Sequence, residues 1–491
     1  MLNVIFLWHM HQPYYVNPLT KTAEMPWVRL HAVKGYLDMI SVLEDFPNVR
    51  VNFNMTPVLV KQILEFNEGS VKDLWFEASL KPAADLSAQD KNLILENFFK
   101  INWDNMLKPH LRFAELLYKR GQSFSPGQSS SVADRFNEQD FRDVQTWFNL
   151  GWCGYRAEHY FPRLRELKIK GSGFSESEKL EVLDIHRQIL RLVLKKYGEM
   201  EQAGRVELTT TPFYHPILPL VYDSELARRC MPGRKLPRPF SYPEDALSHL
   251  VRAADQHEQV FGRRPRGLWP SEGSVAPELI PLMRKAGFEY FCTDEANLFN
   301  SLNHDPAWAG KTADHLELFQ GWSAQYEGAK INAVFRERPL SDFIGFVASK
   351  NSPQQAADHL IFNLEHIATV AHEPNAMIAL ILDGENAWEH FADGGEGFLR
   401  NLYGRLSDHP VLRTKCISDY FAEFPQTKTT TTLHTGSWIN SDFDIWIGDE
   451  AEENVAWDML GQTRKFLEEQ VRGGRLSDEA KNRAFEEIYA A

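Results

Sequence analysis

The stretch MIALILDGENAWE, from Met377 to Glu389, opens with six consecutive apolar residues and then stops on Asp383 and Glu385. An uninterrupted apolar run of this length suits a strand buried on both faces, as in a parallel sheet covered by helices. Six more runs have the same form: Leu2–Trp8, Val49–Asn54, Val206–Thr211, Arg266–Pro270, Phe288–Thr293 and Lys330–Phe335. Each is short and rich in apolar or β-branched residues, and almost every one ends abruptly on polar residues. Helical periodicity lies between them, as at Ala246–Val260 and Ala356–Val370. This alternation predicts an α/β fold, a barrel or barrel-like parallel sheet of seven strands. Function in such a fold gathers at the carboxyl ends of the strands.

Between the second and third runs the chain is far longer than the dozen or so residues a crossover needs. Residues from about 69 to 200 are rich in Leu, Glu, Lys and Phe at helical spacing, interrupted by the polar stretch Ser123–Ser131. They predict a helical subdomain inserted into a catalytic barrel of residues 1–400. From 401 to 491 a mainly helical C-terminal lobe is expected to complete the cleft, carrying a Thr-rich loop and GSWINSDFDIWIG (Gly436–Gly448).

The chain has 491 residues, 43% hydrophobic and 24% charged, which suits a globular protein and excludes disordered or fibrous classes. With 53 Lys+Arg against 67 Asp+Glu the net charge is −14, which repels nucleic acid and anionic lipid and favours a neutral or cationic ligand. The four cysteines form no C-x-x-C pair and read as buried, reduced thiols. The N-terminal run lacks a basic flank and a small-residue cleavage site, and no apolar run reaches the ~18 residues of a membrane span. A cytoplasmic location is expected. Oligomeric state is not read from the sequence.

Chemistry-bearing residues cluster at the run ends. His9 and His11 share a face by period-2 alternation, suiting either a metal pair or donors to ligand hydroxyls, with satisfied core histidines as the structural alternative. No H-E-x-x-H frame or third ligand accompanies them, so no metal is assigned, and calcium is not indicated. Glu272, in WPSEG, is either a carboxylate presented at a strand end or one that complements the dipole of a helix beginning near Ala276. Asp383 and Glu385 stand where a buried strand ends, a costly place for charge, which favours a paired or functional role. A carboxylate at that strand end and Glu272 make the pair that glycoside hydrolysis needs. Arg338 and Asp342 suit either a hydroxyl clamp or an internal ion pair. Glu207 and His215 suit either substrate contact or a satisfied core pair. The 13 tryptophans include Trp8, Trp269, Trp388 and Trp438 beside these motifs, a distribution that suits stacking on sugar rings.

Five motifs in order carry a family resemblance: His11–Pro13 (HQP, with Gln12), GRVEL at Gly204–Leu208 with TTTPFYHPILPL after it, WPSEGSV at Trp269–Val275, DGENAWEHF at Asp383–Phe391, and GSWINSDFDIWIG. The chain resembles glycoside hydrolase family 57, in particular its α-amylase and amylopullulanase-like branch. The resemblance implies an incomplete (β/α)7 barrel with helical additions and an α-glucan substrate, namely starch, glycogen or maltodextrin. It makes Glu272 the nucleophile and Asp383 the general acid/base of a retaining double displacement on α-1,4 bonds, with α-1,6 bonds as a further possibility. A retaining pair should stand ~5–5.5 Å apart, with the acid's pKa raised by burial and by its partner's charge. His9, His11, Gln12, Glu207, His215, Trp269, Arg338, Asp342, Glu385, Trp388 and Trp438 are then substrate-binding candidates. Rival readings are a 4-α-glucanotransferase or branching enzyme on the same carboxylates, a metal-dependent hydrolase of the α-mannosidase or deacetylase barrels, and a glucan-binding regulator without chemistry.

Overall fold

All seven apolar runs are strands in the computed structural model, which describes residues 1–124, 129–304, 315–371, 373–385 and 387–491. Asn386 of the DGENAW motif and residues 125–128 of the polar stretch lie outside the described residues. The strands are β1 (Leu2–Met10), β2 (Val51–Met55), β3 (Val206–Thr209), β4 (Gly267–Leu268), β5 (Tyr290–Asp294), β6 (Ala329–Arg336) and β7 (Met377–Asp383). They run parallel in the order β3-β2-β1-β7-β6-β5-β4. β6 meets β7 only at Arg336 and Ala379, and a single bridge from Thr210 to Leu268 brings β4 back to β3. The barrel is therefore nearly, but loosely, closed.

Alternation along β1 separates two environments. Leu2, Val4, Phe6, Trp8 and Met10 face the surrounding helices. Ile5 and Leu7 face the barrel interior, where they pack with Val334, Ala379 and Ile381. The next inward position is His9. Outside the sheet pack α1 (Pro57–Glu68), α4 (Pro243–Phe261) and α5 (Pro353–Val370), each begun by proline, whose missing N–H costs nothing at a helix start.

The long interval before β3 is helical, including α2 (Glu138–Trp152) and α3 (Glu176–Gln202), and buries its own core around Trp75, Phe98, Trp147 and Phe148. The boundary expected at residue 400 meets continuous structure. That position falls inside the helix Glu396–Ser407, and Leu412–Thr414 pairs with the first residues of β1. The helix Ile417–Glu423 then places Ile417, Tyr420 and Phe421 in the barrel core, sealing its amino-terminal end. An additional strand, Trp322–Tyr326, folds back on β6 through a turn at Glu327 and Gly328, both in the left-handed region. α6 (Ala451–Arg472) and α7 (Asp478–Ala490) end the described chain. All four cysteines are free thiols. No helix among the described residues is long and apolar enough to cross a membrane.

Candidate active site

Register in the parallel sheet brings the polar strand ends to one level. His9 stands opposite Asp383 on one side and Asn54 on the other, and Asn54 stands opposite Thr209. His9 Nδ1 and Asn54 Oδ1 are 2.7 Å apart, Asn54 donates Nδ2–H to Thr209 at 3.0 Å, and Thr211 donates its hydroxyl to Asn54 Oδ1 at 2.7 Å. This fixes the His9 ring. His11 and His215 stack above it, with ring centroids 3.9 Å apart and planes inclined by 21°. Trp269, fully buried just after β4, brings its ring centroid to 6.1 Å from that of His9 across the barrel.

Glu272 follows β4 in a tight turn. It and Gly273 both adopt positive φ, 56° and 59°. Glycine suits position 273, where a Cβ would come within 3.2 and 3.3 Å of Trp269 and Trp438 and the φ is one that L side chains rarely adopt. For a glutamate the left-handed conformation is strained, and such strain persists only where the surroundings hold it. Here they do: the Trp438 amide donates to the Glu272 carbonyl at 2.9 Å. Trp438 also donates its indole N–H to Glu272 Oε2 at 2.9 Å, and His215 Nε2 lies 3.0 Å from Oε1. His215 is itself at φ 64°. The carboxylate is thus clamped at both oxygens by side chains, not aligned with a helix N-terminus.

Burial, with His9 beside it, pushes the His215 pKa well down. The ring is then neutral. An ionised carboxylate only accepts, so His215 carries its proton on Nε2 and donates it to Glu272. Burial lowers His11 in the same way, helped by His215 and His9.

His9, His11 and His215 each bring a ring nitrogen within 4.8 Å of the others, a spacing at which a metal ion must be considered. An imidazole lone pair lies in its ring plane, and a metal such as zinc sits ~2.1 Å along it. Stacked, nearly parallel rings have no common in-plane point at that reach.

Asp383 lines a cavity of about 370 Å³ with Arg336, Arg338, Asp342, Trp438 and Asn440. Arg336 is almost buried and ties this wall together. It donates Nε–H to the Ile381 carbonyl at 2.6 Å, pairs with Asp294 and Asp342, and lies 5.4 Å from the Trp438 ring centroid. Arg338 pairs with Asp294 at 2.5 Å. The arginines therefore hold Trp438, and Trp438 holds Glu272.

Other candidates stand apart. Glu207 lies two residues before Thr209, below the rim, and its carboxylate accepts from Ser418 N–H at 2.8 Å, the Ser418 hydroxyl and Tyr290 at 2.8 Å. Trp388 is 2% exposed, donates to the Gly384 carbonyl and packs on Trp8 in the layer outside the barrel. Neither Trp8 nor Trp388 reaches the cleft. Glu385 is buried and accepts from the His11 amide, Gln12 and Tyr36 at 3.1 to 3.2 Å; burial and then Asp383 push its pKa well up. Gln12 is a partner of Glu385 and of Tyr15.

The model of glycosyl hydrolase family 57 matches residues 5–433. The chain belongs to this family. Among characterised relatives, an α-amylase 1 from Dictyoglomus thermophilum is 22% identical over 282 residues, covering 56% of this chain and 33% of that protein. A 4-α-glucanotransferase from Thermococcus kodakarensis is 21% identical over 248 residues, 49% of this chain and 30% of its own. The chain spans about a third of the length of these curated relatives. A family 57 branching enzyme structure from Thermococcus kodakaraensis superposes with a TM-score of 0.60 at 16% identity, covering 99% of this chain and 84% of that one. The family 57 fold is thereby established, an incomplete barrel with helical additions.

Proposed function

We propose that this family 57 chain is a retaining α-glucan-active enzyme in which Glu272 attacks the anomeric carbon and Asp383 supplies and recovers the proton. The observation that carries this reading is the clamp on Glu272. Two neutral donors, His215 Nε2–H and Trp438 Nε1–H, fix both oxygens while leaving the carboxylate partly exposed beside the Asp383 cavity. A nucleophile needs that combination of orientation and access. Asp383 protonates the glycosidic oxygen as Glu272 bonds to C1, and a water or sugar hydroxyl then displaces Glu272, returning a proton to Asp383.

The same carboxylates serve hydrolysis and transfer. Relatives named α-amylase and 4-α-glucanotransferase both support the glucan substrate without dividing these outcomes. Incubation with maltoheptaose and with pullulan, resolved by product size and by anomeric configuration in NMR, tests the reading. New reducing ends indicate hydrolysis and redistributed lengths indicate transfer. β-Configured first products, or no action on any α-glucan, would refute it.

A further inference from the structure

His215 reaches Glu272 Oε1 from a backbone at φ 64°, and a residue other than glycine keeps that conformation only where its neighbours hold it. Its own turn supplies one bond, from the His215 N–H to the Pro212 carbonyl at 2.9 Å. Further bonds act on the two residues before it. Phe213 donates its N–H to the His249 carbonyl of α4 at 3.2 Å, and the Tyr214 N–H is directed at His249 Nδ1 at 3.5 Å. Burial, with Arg252 beside it, lowers the His249 pKa to about 3, so the ring is neutral and its Nδ1 can accept.

The Tyr214 side chain carries the hold outward. Its hydroxyl donates to one oxygen of Glu486 on α7, and Arg252 of α4 donates to the other. Glu486 is thus held as Glu272 is, by one side-chain donor on each oxygen. The Arg252 guanidinium also stands 4.5 Å from the Phe213 ring centroid and 5.3 Å from that of Tyr489 on α7. The Tyr214 ring meets that of Tyr14, next to the HQP motif, edge-on at 5.6 Å. α7 buries none of its residues, so core packing does not account for a paired carboxylate set against this turn. The Arg252 and Glu486 side chains are 29% and 34% exposed, a setting in which an ion pair adds little to stability. What Glu486 does fix is a phenol whose next residue donates to the nucleophile.

We propose that Glu486 is a positioning residue for Glu272: it fixes Tyr214, Tyr214 fixes the strained His215, and the His215 Nε2–H orients the carboxylate. α7 then serves as a strut of the active site. This rests on the reading of Glu272 as the nucleophile. The effect is on the aim of a reacting group and not on substrate contact, so it falls on kcat and spares KM.

The test uses the full chain. Tyr214→Phe removes the hydroxyl and Glu486→Ala removes its acceptor; each should lower kcat on maltoheptaose about 10-fold, with KM within about twofold and little change in Tm. Both break the same bond, so the double variant should be no slower than the slower single one. Glu486→Gln, whose amide oxygen still accepts from Tyr214, should recover most of the loss. Independently of turnover, the His215 imidazole NMR signals, assigned by their disappearance in His215→Asn, should shift in Glu486→Ala. An unchanged His215 signal, unaltered kcat in both single variants, or losses that multiply in the double variant would overturn the proposal. A wild-type chain inactive on maltoheptaose would refute the glucan reading instead, and the His215 signals then decide the coupling by themselves.

Discussion

Glu272 and Glu385 follow neighbouring motifs at the same rim, yet the barrel treats them in opposite ways. Glu272 sits on a strained turn, partly exposed, with one side-chain donor on each oxygen. Glu385 is 4% exposed and takes three donors from His11, Gln12 and Tyr36, which join β1 and the helical segment after it to the end of β7. The donors orient one carboxylate toward a cavity and bind the other into the scaffold. Access and the distribution of donors separate the two: Glu272 is held at both oxygens and stays partly exposed, whereas the three donors to Glu385 all meet Oε1 and its Oε2 is buried without a hydrogen-bond partner among the described residues.

Substitutions at the two glutamates and at the clamp probe that contrast. The largest effect is expected at Glu272→Gln, which keeps the shape but removes the nucleophile; kcat on maltooligosaccharides should fall on the order of 10^4-fold or more. A loss under 10-fold would erase the distinction. Trp438→Phe removes one donor to an ionised carboxylate, a hydrogen bond of about 1.5–3 kcal/mol, and should lower kcat/KM roughly 10- to 100-fold with the fold intact by circular dichroism. Unchanged kinetics would show that the clamp does not orient Glu272.

Glu385→Gln should have the smallest kinetic effect and a distinctive stability profile. The folded pKa of Glu385 is raised, so the folded state binds the proton more tightly than the unfolded chain. Its contribution to stability is full below the unfolded value of about 4.3 and declines as pH rises from there toward the folded pKa. Glutamine has no proton to lose, so Tm of the variant should gain on wild type across that rise. A parallel pH dependence of the two proteins would contradict the assignment of Glu385 to the scaffold.

The barrel was legible because fully buried parallel strands leave uninterrupted apolar runs, and all seven runs became strands in place. Period-2 alternation also placed His9 and His11 on the interior face. The same rule puts Trp8 on the outer face, one residue off His9, where it packs with Trp388; proximity in sequence to a motif suggested a cleft residue and the pleat decided otherwise. Glu207 lies inside the run Val206–Thr211, and its bonds to Ser418 and Tyr290 match the core alternative that the sequence leaves open there. The positive φ at Glu272 and His215 left no trace in the sequence, since neither residue type announces a left-handed turn. The roles of Arg336 and Asn54 depend on contacts between distant strands, although the alternation in VNFNM already points Asn52 and Asn54 inward with His9. Leu412–Thr414, which pairs with β1, leaves no sequence signal because a three-residue strand is too short to show a period.

The central claim is that Glu272 bonds covalently to the sugar. A 5-fluoro-α-glucosyl or maltosyl fluoride, whose intermediate turns over slowly, should inactivate the protein and leave a glycosyl group that peptide mass spectrometry locates on Glu272. Label on Asp383 or Glu385, or turnover of α-glucan with no label on the protein, would contradict the account.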